Sequence, residues 1–495
     1  MLGKRISFGL LLFLIALSFF LMNLVGLTRS PVVWLDEVTL NDPAKELAES
    51  GILRSSVFAG ERGFERAYFW QPPLQPFITA ISYRFFGFGI WQTRIPPLIF
   101  GGGVVFLIGL ITFKLFGSRL GALFSSLIFA LEPKFIQTAR SGRMDAQCLF
   151  FALLGLYFYL RFREERRHSF LALSGLMVGL AIITHPVAFS WAIGIGVLVL
   201  FSTGEGRLKS SLYFAISAAI PPLLWVGYGL YFFPRLFFDQ FILHGEGHLV
   251  TGGLLSRLIA ELHRYLRAYH LVPLLLLSYI IAVFFLLLKF NDKNRFYRLL
   301  LVLFAILFFF NAFLMVKTVG HYYLHPVSIL VIALGMCLSA LVSASEDASR
   351  RRGRLVFLFL LLLFGNIVAG GIGGRYLALA YQWCARDYRH QVVEPLKGVI
   401  PPGSIVWGRP EVWYALEKGG AELRLLGEPD PKRHHFAVVK PGGAEEKLIE
   451  SKGGFTKIKE IGKPLPPILG RITLPSGDYR LAVWRSDYLF PSSRY

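Results

Sequence analysis

A chain of 495 residues with 54% hydrophobic residues, 46 Phe and only 17% charged residues is poorer in charge than the roughly 25% of a soluble domain, which excludes a wholly soluble fold. The net charge of +21 would suit a nucleic-acid binder, but the Lys and Arg fall in short clusters between apolar runs, as topology signals do, so nucleic acid is set aside as a partner. Three cysteines, Cys148, Cys337 and Cys384, lack metal-ligand spacing and two lie inside apolar runs, so neither a disulfide framework nor a zinc site is implied.

Residues 6–28 form an apolar run preceded by Lys4 and Arg5. At about 1.5 Å per residue it can cross a hydrocarbon core of roughly 30 Å. Its length, the lack of a small-residue cleavage site and the spans that follow set it apart from a signal peptide. Residues 29–94 are a long polar segment with a helix expected at Asp42–Ser50. The apolar stretch Leu74–Phe88, opened by Pro72-Pro73, is expected to lie in the interface, because a crossing there would invert every later loop. Further spans are expected at 95–115, 119–136, 145–161, 169–184, 186–203, 210–233, 271–289, 298–316, 321–343 and 354–372, about eleven in all with the first. With the amino terminus inside, Lys4/Arg5, Lys114/Arg119, Arg161 to Arg167, Arg207/Lys209, Lys289 to Arg298 and Arg350 to Arg354 all become cytoplasmic, as the positive-inside rule requires.

From about residue 376 the pattern changes. Strands are expected at Ser404–Trp407, Phe436–Val439 and Tyr479–Trp484 and short helices at Glu411–Glu417 and Ala444–Ile449. The expected fold is thus an α-helical polytopic membrane protein, residues 1–375 with outer loops 29–94 and 234–270, followed by a small extracytoplasmic α/β domain, residues 376–495. No internal repeat of the transporter kind is visible.

Asp36 and Glu37 follow Trp34 just outside the first span. A carboxylate there can take a proton from an acceptor hydroxyl, and Glu37 or a divalent cation held by it can orient the reactants. The same pair also suits the cap of the helix at 42–50. Tyr68-Phe69-Trp70-Gln71-Pro72-Pro73 can form the wall of a site or an aromatic belt. Arg140, Arg143 and Asp145 stand at the same membrane face as Asp36, where arginine suits phosphate or snorkels. Lys317, His321, Tyr322 and His325 lie at the outer ends of the ninth and tenth spans. His321 and His325 are one helical turn apart, but two histidines without a third ligand make a thin metal site. The 234–270 loop carries Arg235, His244, Glu246, His248, Arg257, Glu261, His263, Arg264 and Arg267, a set for an anionic ligand or for lipid headgroups.

Trp34-Leu35-Asp36-Glu37, aromatic-Gln71-Pro72-Pro73-Leu74, Arg94-Ile95-Pro96, Phe116-Gly117, Ala139-Arg140 to Arg143-Met144-Asp145 and His321-Tyr322-Tyr323-Leu324-His325-Pro326 follow one another in an order that resembles the dolichyl-phosphate-mannose protein mannosyltransferases. More broadly the chain is similar to the integral-membrane glycosyltransferases of the C type, including the aminoarabinose transferases that modify lipid A. The resemblance is best over residues 30–165, extends through 326 and is architectural in the tail. It implies a sugar donor linked to a polyprenyl phosphate and a catalytic acidic pair whose first member is Asp36. Two departures touch the phosphate contacts and sugar preference: Gln71 where the family often has a basic residue or His, and His321-Tyr322 where it often has Arg-Tyr.

The expectation is therefore an inverting hexosyl- or pentosyltransferase of the cell membrane, its acceptor an extracytoplasmic hydroxyl of a protein, glycolipid or glycan. Asp36 is the base, Glu37 orients the acceptor or a metal, and Arg143 and Lys317 balance the departing phosphate. Gln71, Arg140, Asp145, His321 and Tyr322 complete the substrate-binding set. The alternative is a secondary transporter or lipid flippase for an anionic lipid-linked substrate. Transporters place ionisable groups near the bilayer midplane, whereas here they gather at one face. A membrane-anchored scaffold would need neither Asp36 nor the arginines.

Overall fold

In the computed structural model, residues 7–202, 206–242, 253–270, 272–314, 321–343, 372–465 and 478–489 are described, with positions 353 and 357. Lys317, His244, Glu246, His248 and the expected span at 354–372, apart from positions 357 and 372, lie outside the described residues. The amino-terminal half is helical: α1 Phe8–Leu24, α2 Leu35–Ser50, α3 Leu74–Phe86, α4 Ile90–Phe116, α5 Arg119–Ala130, α6 Pro133–Ala139, α7 Asp145–Glu165, α8 His168–Ile182, α9 Phe189–Ser202 and α10 Arg207–Phe232. Beyond it come α11 Leu254–Tyr269, α12 Pro273–Leu288, α13 Phe296–Leu314, α14 Leu324–Ser343 and α15 Ile372–Tyr381.

Among the described residues, α4, α7, α10, α13 and α14 are long and apolar enough to cross a bilayer. The pair α5 and α6 passes the same test together, although it is bent by 63°. The apolar helices at Phe8–Leu24, His168–Ile182, Pro186–Phe201 and Pro273–Leu288 are shorter. The bend corrects the expectation of one continuous helix over 119–136. Pro133 opens α6 without an N–H to donate, and the Glu132 carboxylate caps the new helix at the Phe135 amide.

The helix expected at Asp42–Ser50 is also corrected. It begins at Leu35, so Asp36 and Glu37 form its first turn rather than a preceding loop. Negative charge there complements the helix dipole, and Gly51 ends the helix in the left-handed conformation. Helix α3, at 13 residues, spans only about 20 Å and is too short to cross.

Among its described residues the tail holds five strands, β1 Ile405–Gly408, β2 Glu422–Arg424, β3 Phe436–Val439, β4 Phe455–Ile461 and β5 Leu481–Ser486, with α16 Trp413–Lys418 and α17 Ala444–Lys452. The sheet order is β2-β1-β3-β5-β4. β1 runs parallel to β2 and β3, and β5 is antiparallel to β3 and β4. This sheet is not detached from the rest. Val406, Trp413, Tyr414 and Tyr479 share one hydrophobic core with Val32, Val33, Val38, Phe58 and Tyr68 of the segment 29–94.

Candidate active site

Successive residues of an α-helix point about 100° apart, so Asp36 and Glu37 diverge. Glu37 is wholly buried in a bidentate pair with Arg94 of α4, Nε to Oε1 and Nη2 to Oε2 each at 2.7 Å. The third guanidinium nitrogen donates to the carbonyls of Leu27 and Pro31 at 2.6 and 2.9 Å. From the tail, the Tyr414 hydroxyl donates to Glu37 at 3.2 Å. A buried carboxylate is tolerated only with such partners. Both Glu37 oxygens are engaged by protein groups, an arrangement that suits a structural role. Among the described residues no group of three or more His, Cys, Asp or Glu is arranged to hold a metal ion.

Asp36 has the opposite setting. Its side chain is 42% exposed and one oxygen, Oδ2, is ion-paired to Arg143, while Oδ1 has no protein partner among the described residues. Arg143 in turn donates from Nε to Asp145 Oδ2 at 2.7 Å and lies 5.4 Å from the Trp34 ring centroid. Two flanking carboxylates keep its guanidinium charged despite burial. The turn that carries Arg143 is fixed from below. Asn41 donates to the carbonyls of Glu37 and Gly142 at 2.7 and 2.6 Å, and Gln75 donates to Asn41 at 2.8 Å. A Cβ on Gly142 would lie 2.5 Å from Thr93 Cγ2, so the turn packs as closely as it does because the residue is glycine.

Arg140 is not brought to this group. Its buried guanidinium donates to the carbonyls of Asn23, Val25 and Ser30, which pins the link between α1 and α2. Its three guanidinium nitrogens are thus committed to backbone carbonyls. Gln71 is half-buried in the bend before α3. His321 and Tyr322 do approach Arg143. Burial, reinforced by the Arg143 charge, pushes His321 down to about 4, so the ring is neutral at ordinary pH. Burial pushes the Tyr322 phenol up to about 12. Its ring lies 5.0 Å from that of His185, with the Arg264 guanidinium 6.0 Å from its centroid.

Two contributors carry no local sequence signal, Tyr414 and Lys134 on α6, whose charge reaches His321, while Arg94, part of the Arg94-Ile95-Pro96 motif, gives no hint in sequence of its pairing with Glu37. Beside the mouth of α2, a cavity of about 400 Å³ opens between Trp34, Gln137, Ser141 and His321 on one side and Arg409, Glu411, Lys440 and Glu445 of the tail on the other.

Residues 70–225 match the family described as dolichyl-phosphate-mannose-protein mannosyltransferase. An uncharacterised protein of Aquifex aeolicus is 26% identical over 185 residues, 37% of this chain and 36% of that one. A provisionally named mannosyltransferase, YkcB of Bacillus subtilis, is 24% identical over 218 residues, 43% of this chain. The match spans only 29% of YkcB, so about a third of each relative's length is covered. Among solved structures, ArnT from Cupriavidus metallidurans superposes with a TM-score of 0.67 in its apo state and 0.64 bound to undecaprenyl phosphate. Each match is at 15% identity and covers 95% of this chain and 97% of that one. The Archaeoglobus fulgidus oligosaccharyltransferase gives 0.52 at 13% identity, covering 88% of this chain and 68% of that one. Residues 70–225 are thus similar in sequence to the dolichyl-phosphate-mannose-protein mannosyltransferases, and the chain as a whole shares its fold with ArnT.

Proposed function

We propose that this protein transfers a sugar from a polyprenyl-phosphate donor to an extracytoplasmic hydroxyl with inversion at the anomeric carbon. The observation that carries this reading is the half-exposed Asp36 carboxylate, oriented through one oxygen by Arg143 and open at the other. Asp36 Oδ1 accepts the proton of the acceptor hydroxyl as its oxygen bonds to the anomeric carbon. The bond from that carbon to the phosphate oxygen breaks, and the lipid phosphate leaves with the electron pair. Arg143 fixes the angle of the base and, with Lys134 and Arg264, supplies positive charge toward the leaving group. The crystal form of ArnT bound to undecaprenyl phosphate supports a lipid phosphate as the leaving group. In the same reading about eleven spans place the amino terminus in the cytoplasm and the sheet domain outside.

The test is transfer from a panel of radiolabelled polyprenyl-phosphate sugars by purified, reconstituted protein. Asp36→Asn keeps shape and removes the basic oxygen, so turnover is expected to fall roughly 10²- to 10⁴-fold while the protein stays folded and inserted. Near-normal turnover in this variant would remove Asp36 from the base role.

A further inference from the structure

The cavity beside Asp36 sits at a special place in the tail. The chain runs from β1 outward to β2 and then crosses back past β1 to β3, all three strands parallel. In open α/β sheets such a reversal leaves a crevice at the carboxyl ends of the strands, the usual place for a ligand. The tail side of the cavity is built from those ends: Gly408 and Arg409 after β1, Leu425 after β2, Lys440 after β3, and Glu445 in the first turn of α17. Gly408 has φ +143°, and a Cβ there would collide with the Val438 carbonyl, so the floor closes this tightly because position 408 has no side chain. The volume of about 400 Å³ falls within the roughly 300–1,000 Å³ of small-molecule sites.

The charge of the lining selects among ligands. Arg409 holds Glu411 through two bonds of 3.1 and 3.2 Å and Glu445 through one of 2.9 Å. Lys440 lies 3.0 Å from Asp478 and 3.5 Å from Glu411. The two cations of the lining are thus balanced by its two carboxylates, and the His321 ring is neutral. An anionic acceptor would find no uncompensated cation. An extended peptide would find no open strand edge, because β1 and β3 are both paired on each side. What remains is a fixed array of carboxylate acceptors and guanidinium donors beside the flat faces of Trp34, Pro31 and Pro410, which suits vicinal hydroxyls and the C–H faces of a sugar ring. His321 Nδ1 and Trp34 Nε1 have no hydrogen-bond partner among the described residues. We propose that this crevice binds the acceptor and that the acceptor is an uncharged saccharide. The inference rests on the reading of Asp36 as base, since Trp34 and Leu35 line the crevice and Asp36 is the next residue.

Binding can be read without transfer. Full-length protein carrying Asp36→Asn, in nanodiscs, is titrated with mannobiose, maltose and chitobiose and with a glucuronic-acid-containing disaccharide, followed by saturation-transfer NMR. At least one neutral disaccharide is expected to bind and the acidic one not to. Glu411→Gln and Glu445→Gln should each weaken binding at least tenfold. Leu425→Trp, which fills the crevice without touching an ion pair, should abolish it even where a charge variant folds poorly. Failure of every neutral disaccharide, tighter binding of the acidic one, or indifference to Leu425→Trp would each overturn the proposal. Loss of the Asp36 assignment would show instead as retained transfer in Asp36→Asn, with saccharide binding unchanged.

Discussion

At the residue scale, two neighbouring carboxylates meet opposite fates, and the difference can be measured. Glu37 neutralises a wholly buried guanidinium, and removing one member of a buried pair costs about 3–5 kcal/mol. Glu37→Gln is therefore expected to lower the thermal midpoint of the detergent-solubilised protein by several degrees, whereas Asp36→Asn, half-exposed, should leave it near wild type. Equal midpoints would place Glu37 outside the structural core. A second expectation follows from His321. Burial and Arg143 hold its folded value near 4, below the ordinary 6.5, so the unfolded chain binds this proton more readily. Its contribution to stability is full above pH 6.5 and is lost as pH falls through 4. The loss is on the order of 1–3 kcal/mol, and His321→Gln should flatten the stability profile across that window. Sequence made the acidic pair visible but not its division of labour. The partner that decides it, Arg94, lies 57 residues away, and no local pattern ties it to Glu37. Arg140 and Arg143 likewise read alike in sequence and separate only once backbone carbonyls claim one and carboxylates the other.

At the element scale, the apolar helices were legible because a bilayer demands long hydrophobic runs, and that signal survives any detail of packing. The misreadings have local causes. The helix expected from Asp42 begins a full two turns earlier, with Pro43 inside it. Mean hydropathy cannot register the break at Pro133, because both halves of the bent pair are apolar. Strand β2 has three residues and only one of them buried, and β4 has a run of exposed residues between buried ends. Both are edge strands, so neither shows the alternation of a half-buried strand. Packing between helices gives a further prediction. Gly175 and Gly179 of α8 face α10, where a Cβ on Gly175 would meet Ser217 Oγ and the Phe214 carbonyl, and one on Gly179 would lie 2.6 Å from the Ala218 carbonyl. Small residues four apart let membrane helices approach at backbone distance. Gly175→Ala is expected to destabilise by about 1–3 kcal/mol. Gly227→Ala, in open space on α10, should instead be neutral or gain about 0.5–1 kcal/mol. Thermal midpoints of the two variants, measured side by side, check the contrast.

At the scale of the whole molecule, the helices sort their charges by end. Helix α7 starts at Asp145, beside Arg143 and Asp36, and its 21 residues carry the chain about 31 Å away. There Glu164 meets Lys114 at 2.5 Å, close to the carboxyl end of α4, whose opposite end holds Arg94 against Glu37. Arg163 lies 5.0 Å from the Phe296 ring centroid and Phe116 4.9 Å from that of Tyr297, which brings the Lys289 to Arg298 cluster to the same end. Ser118 and Ser339 share a hydrogen bond of 2.8 Å there, placing the carboxyl end of α14 with them. Three of the basic clusters, Lys114/Arg119, Arg161 to Arg167 and Lys289 to Arg298, thus gather roughly one hydrocarbon thickness from the acidic mouth and from the sheet that packs on it. Positive charge is retained on the cytoplasmic side, so this polarity predicts that the sheet domain faces outward. A reporter fused after Tyr495 that is active only outside the cytoplasm should be active, and one that works only in the cytoplasm should be silent. The reverse pattern would turn the molecule over and put Asp36 on the cytoplasmic face, away from any extracytoplasmic acceptor.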